Sequence, residues 1–189
     1  MKSVSMSGSL RGNVGKKDAK AQRKQGLVPC VMYGGAEQFT FVVEEGQFKN
    51  IIFTPEVKYA ELEIDGKKYN AIIQDTQWHP VTDALLHVDF LEVIENKDVV
   101  IGIPVQIIGT SPGVLRGGKL VKKVRKLKVK GLLQNIPEKI EVDITPLEID
   151  EAIKVGDIKV ENLTILDNKA QIVVSVISTR NVTAEAPGK

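Results

Sequence analysis

The chain has 189 residues and a mass of 20.7 kDa, with 42% hydrophobic and 26% charged residues, a composition that excludes a disordered polymer and allows one large domain or two small ones. No apolar run approaches the ~18–20 residues a membrane-spanning helix needs, and Met1–Leu10 has no apolar stretch of the secretory-signal kind. Net charge is only +2, yet residues 1–26 carry seven Lys/Arg against one acid and residues 27–95 carry four against twelve.

In chain order, Met1–Leu10 alternates Val4, Met6 and Gly8 with serines, as an opening strand does. Gly15–Gln25 lacks β-branched residues and holds Ala19, Ala21, Gln22 and Lys24, so a short helix is expected there, stopped by Gly26 and Pro29. Lys16, Lys20 and Arg23 share one face of that helix, which has no apolar stripe to pack and suits a negative partner. Cys30–Tyr33 and Phe39–Val43 read as strands. Gln47–Phe53 reads as a helix ended by Pro55. Tyr59–Ile64 and Lys68–Thr76 flank the hairpin signal Asp65-Gly66, and Leu85–Val93 is a further strand. The first ~95 residues are therefore expected to be mostly antiparallel β with one or two short helices.

Glu95-Asn96-Lys97-Asp98 is a polar seam, and it divides the chain into an expected domain over 1–95 and a second over 96–178. The second has short runs at Val99–Ile108, Leu127–Leu133, Ile140–Ile144, Ile158–Val160 and Gln171–Ile177, the spacing of an all-β module. Pro112-Gly113 and Gly117-Gly118 mark turns. Arg116–Lys130 holds eight basic residues and no acid. Two such blocks in an otherwise acidic or neutral chain point to a polyanion, although a basic cluster is also an ordinary solvated face. Residues 179–189 are polar and read as a flexible tail.

Chemistry-bearing residues are few. In His87-Val88-Asp89-Phe90 a strand would turn Val88 and Phe90 to the core and leave His87 and Asp89 as an outward polar pair. A metal-dependent enzyme built on His79, His87 and Asp89 is the rival reading, since two His and one carboxylate suit non-haem iron; Pro80 separates His79 from the strand and weighs against it. The single cysteine, Cys30, cannot form an internal disulfide and fits a reducing compartment. Gly8, Gly12 and Gly15 fit neither nucleotide-loop spacing. Trp78 suits either a base-stacking platform or the core, and Tyr33 is placed to touch sugar or phosphate.

The run Gly15-Lys16-Lys17-Asp18-Ala19-Lys20-Ala21-Gln22-Arg23-Lys24-Gln25-Gly26-Leu27-Val28-Pro29, then Val31-Met32-Tyr33-Gly34-Gly35, resembles the opening of the bacterial large-subunit ribosomal protein family that binds 5S rRNA, the twenty-fifth in the ribosomal series. Gln74-Asp75-Thr76-Gln77-Trp78-His79-Pro80 and His87-Val88-Asp89-Phe90 resemble its second signature. Pro104-Val105, Gly109, Gly113, Gly117-Gly118 and Ile136–Asp143 resemble the C-terminal domain of its long form, often called the Ctc or general-stress form.

The resemblance implies a non-enzymatic ribosomal protein with two mostly β domains. The first would be a small β-barrel with short helices that grips the loop-E minor groove of 5S rRNA, and the second another β module. It implies that Arg11, Lys16, Lys20 and Arg23 hold phosphates and that Tyr33 touches the backbone. Gln74, Gln77, His87 and Asp89 would face sugar hydroxyls and base edges. No cofactor is expected. The partners would be 5S rRNA and, through Arg116–Lys130, other ribosomal RNA or ribosomal proteins. The place would be the cytoplasmic ribosome, with a monomer off it. Trp78 stands where an Arg is expected and Ala21 where a basic residue is common, so neither inherits a phosphate role.

Overall fold

The computed structural model describes residues 1–35, 37–94, 97–160 and 162–179. These form two compact units. The first is Met1–Val99 with Leu132–Glu138; the second is Val100–Gly131 with the chain from Lys139 onward. Of the seam residues, Glu95 and Asn96 lie outside the described residues. Of the tail expected over 179–189, only Thr179 lies within them, and its hydroxyl donates to the Gly117 carbonyl at 3.0 Å.

The first unit is a closed six-stranded barrel. Its strands are β1 (Lys2–Leu10), β2 (Leu27–Tyr33), β3 (Phe39–Glu44), β4 (Lys58–Ile64), β5 (Lys67–Trp78) and β6 (Leu85–Glu92), in the order β1-β3-β2-β6-β5-β4. Helix α1 (Lys16–Lys24) links β1 to β2, and the short α2 (Lys49–Ile52) follows β3. Alternate residues of each strand point inward, and a barrel this narrow is filled by side chains. Met6, Cys30, Met32, Phe41, Leu62, Val88 and Phe90 are all at most 3% exposed. Phe90 is central, with Phe41 and Phe48 at centroid distances of 5.8 and 6.3 Å.

The barrel is mostly antiparallel, as expected, with two parallel seams. β1 pairs parallel with β4 from Lys2↔Lys58 to Gly8↔Ile64, and β2 pairs parallel with β6 from Cys30↔Val88 to Tyr33↔Leu91. The hairpin at Asp65-Gly66 forms where expected, with both residues at positive φ, 49° and 76°. Pro29 lies inside β2 rather than before it, opposite Val42 of β3. Its missing N–H is tolerated there because pairing with β6 begins only at Cys30.

The second unit adds β7 (Val99–Ile108), β8 (Lys119–Lys122), β9 (Lys126–Gly131), β10 (Ile140–Asp143), β11 (Ala152–Lys154), β12 (Thr164–Ile165) and β13 (Ile172–Ile177), with one helical turn, α3 (Pro112–Leu115). They make a four-stranded sheet, β10-β7-β9-β12, and a three-stranded sheet, β11-β13-β8. Ser111 is fully buried; its hydroxyl donates to the Leu147 carbonyl and accepts from Val114 N–H, which caps α3. The strand expected at Ile158–Val160 is absent: a 3₁₀ turn at Val155–Asp157 precedes it and the segment runs on without ladder pairing. Leu132–Leu133 likewise leaves the β9 ladder, and Leu133–Asn135 closes a 3₁₀ turn.

Candidate nucleic-acid interface

The polar residues of β5 and β6 come together because of a bulge. Ile73 faces Phe90 across the ladder, but the next registered pair is Asp75↔Asp89, so Gln74 is an extra residue on β5. A bulge re-aims the side chains beyond it. Past Gln74, Thr76 pairs with buried Val88 and Gln77 pairs with His87. Gln74, Asp75 and Gln77 are thereby all exposed beside the half-buried His87 and Asp89, while Val88 and Phe90 are fully buried.

His87 Nδ1 and Asp89 Oδ1 lie 2.7 Å apart, each side chain 29% exposed. A carboxylate can only accept, so Nδ1 carries the hydrogen toward Asp89 and Nε2 is left for an outside partner. Asp75 sits directly across from Asp89, and its Oδ1 accepts the Thr76 N–H at 2.8 Å. Tyr33 follows Val31, the β2 neighbour of Asp89, two residues further along the same face. Burial, then the Asp89 and Asp75 carboxylates, push the Tyr33 phenol above its ordinary range, so it stays a hydroxyl donor.

Helix α1 borders this face. Its residues are half-buried or exposed, none buried, and no side chain caps its N-terminus. Two polar ties fix it. Asp18 accepts from Arg11 Nη2 at 2.6 Å, and Arg23 Nη1 donates to the Leu86 carbonyl at 3.2 Å, one residue from His87. Lys20 and Lys24 line the same cleft as Arg23, Ala84, Leu85 and Leu86, and Lys16 is exposed on the helix. The cationic helix and the polar strands are therefore neighbours.

Two of the expected phosphate ligands are tied to the protein itself. Arg11 is not a free phosphate ligand in this structure: its side chain is 7% exposed, is held by Asp18, and keeps a buried Nε without a partner. Arg23 is half-buried and braces α1 on β6, leaving the lysines as the outward charges. Trp78 is half-buried against the barrel core; its Nε1 donates to Thr76 Oγ1 at 2.9 Å and its ring meets Phe53 edge-on at 5.8 Å. Asp75 was not singled out from the sequence, because only the bulge brings it opposite Asp89.

The rival metal reading loses its third ligand. His79 Nδ1 accepts from the Val81 and Thr82 amides at 3.4 and 3.2 Å, closing the turn before β6. Among the described residues no three His, Cys, Asp or Glu side chains converge as metal ligands.

A lysine helix beside an exposed row of polar strand residues is the composition of an RNA-binding surface. Residues 6–90 match the Ribosomal L25p family, and residues 98–180 match the C-terminal domain of ribosomal protein TL5. The chain is 44% identical to the large ribosomal subunit protein bL25 of Cytophaga hutchinsonii, over 98% of this chain and 96% of that one. It is 42% identical to bL25 of Porphyromonas gingivalis over 95% of both chains, and 41% identical to bL25 of Bacteroides thetaiotaomicron over the full length of both. The chain belongs to the ribosomal L25p family: it is a structural protein of the large ribosomal subunit in the cytoplasm, not an enzyme.

Proposed function

We propose that this protein anchors on 5S rRNA, with α1 on the phosphates and the β5–β6 face in a widened minor groove of loop E. The observation that carries the reading is the tie from Arg23 to the Leu86 carbonyl, which sets the lysine helix beside the strand that presents His87 and Asp89. An A-form duplex hides base edges in its deep major groove and displays 2′-hydroxyls in its shallow minor groove. A rigid sheet face of Gln74, Gln77, His87 and Asp89 offers donors and acceptors to such a surface without long, mobile side chains. Lys16 and Lys20 reach phosphates at its border, and Tyr33 supplies a further hydroxyl. Arg11 enters this interface only by exchanging Asp18 for a phosphate oxygen.

The test is gel-shift titration with 5S rRNA and a loop-E mutant of it. Lys16→Ala/Lys20→Ala is expected to flatten the log–log salt dependence by about 1.4–1.8, at ~0.7–0.9 per lost phosphate contact. His87→Ala is expected to weaken binding to intact 5S rRNA while leaving the salt slope unchanged and the loop-E mutant bound as before. Equal binding of intact and loop-E-mutant RNA by the wild-type protein would refute the assignment.

A further inference from the structure

The Arg116–Lys130 block does not stay together in the fold. Arg116 pairs with Glu148 at 3.5 Å, and Lys122 Nζ donates to the Val105 carbonyl. Strand β9 keeps its cations on one face instead. Its residues alternate strictly: Leu127, Val129 and Gly131 are buried, while Lys126, Lys128 and Lys130 are exposed. Lys123 and Arg125, just before the strand, are exposed as well. β9 is flanked by β7 and β12 in its sheet. Beside Lys126 stands Gly102 of β7, where an added Cβ would meet the lysine stem at 3.8 Å, so no side chain stands between them. The exposed acids of that sheet's strands, Glu141 and Asp143, are on β10, with β7 between them and β9. One carboxylate borders the row: Asp167 accepts the main-chain N–H of Lys128 at 2.7 Å.

We propose that the exposed row of β9, carried by Lys126 and Lys128, is a second RNA-backbone contact, separate from the barrel's. Alternate residues of a strand stand ~6.6–6.8 Å apart on one face, close to the separation of successive phosphates along an RNA strand. An exposed row of cations whose flanking strands β7 and β12 carry no acid suits a phosphate backbone. Lys126 and Lys128 are point charges on flexible stems, the kind of side chain that meets phosphate oxygens. This inference rests on the chain's place in the large subunit and not on the 5S rRNA reading.

The test uses the full chain and two probes, 5S rRNA and purified large-subunit ribosomal RNA freed of 5S RNA. Lys126→Ala/Lys128→Ala is expected to weaken binding to the large RNA about tenfold near 0.1 M salt and to flatten its log–log slope by roughly 1.4–1.8. Affinity for 5S rRNA is expected to stay within about twofold, whereas the α1 variant above does the reverse. Lys126→Arg/Lys128→Arg, which keeps the charges, should bind both probes as wild type. An unchanged slope with the large RNA overturns the proposal, as does equal loss in the Ala and Arg variants. Unchanged RNA binding with release from nuclease-trimmed subunits would assign the row to a protein neighbour and overturn it as well.

Discussion

Asp18 is the one acid among the first 26 residues, and its position shows how a single side chain can organise a cationic surface. It neutralises Arg11, which is otherwise a nearly buried guanidinium, and through that pair it holds a helix with no buried residue of its own. Asp89 does the corresponding work on the sheet, orienting His87 at 2.7 Å. It also reaches inward electrostatically. Burial first, then the Asp89 carboxylate, raise the Cys30 thiol well above its ordinary range, while Arg11 acts in the opposite sense. Below the unfolded thiol's value, about 8.5, both states are neutral and Cys30 adds no pH dependence; above it the unfolded chain sheds the proton first and stability falls as pH rises. Native protein should therefore resist iodoacetamide at about pH 8, and Cys30→Ala should make the alkaline decline in denaturation midpoint shallower. Rapid alkylation of the native chain would contradict this.

Among the elements, the β5 bulge matters most for the interface. Deleting Gln74 leaves Asp75 opposite Asp89 and Gln77 opposite His87 but removes the kink that aims them and one polar side chain, and is expected to cost about tenfold in 5S rRNA affinity, ~1.4 kcal/mol. Gln74→Ala keeps the backbone count and should cost far less; equal binding by the deletion and wild type would remove the bulge from the account. The His87–Phe90 alternation was legible in the sequence because Val88 and Phe90 are large and apolar between two polar residues. The bulge was not, because Ile73-Gln74-Asp75-Thr76-Gln77 has one apolar residue and fits either phase. β8 was missed for a related reason: Lys119-Leu120-Val121-Lys122 reads as part of a charge block, yet it pairs with β13 from Lys119↔Ile177 to Lys122↔Val174. Ile158–Val160 misled in the other direction, since two β-branched residues beside a 3₁₀ turn need a partner strand that the fold does not offer them.

At the scale of the molecule, the reading of two domains met one departure: Leu132–Glu138 groups with the barrel unit although it follows β9 in sequence. Two ties account for it. Val57 N–H donates to the Glu138 carbonyl at 3.5 Å, and Lys2 Nζ lies 3.2 Å from Glu56 and 3.3 Å from Glu138. A fragment of residues 1–99 keeps every barrel strand, so it is expected to fold and to bind 5S rRNA within about threefold of the full chain, losing roughly 1–3 kcal/mol of stability with the missing segment. Circular dichroism and the same gel-shift assay check both; a fragment that folds but needs residues from 100 onward to bind would contradict the assignment of the interface to the barrel alone.

The parallel seam between β1 and β4 has a consequence for the order of assembly. Of the barrel's strands β1 is made before both its neighbours, and the later of them, β4, arrives some fifty residues on, as Lys2↔Lys58 shows. Until then β1 can pair only with β3 and its other edge is bare, the kind of surface on which nascent chains misassociate. Trimming the first ten residues would leave β3 and β4 each short of a neighbour, turning a sealed cylinder into an open, self-adhesive ribbon.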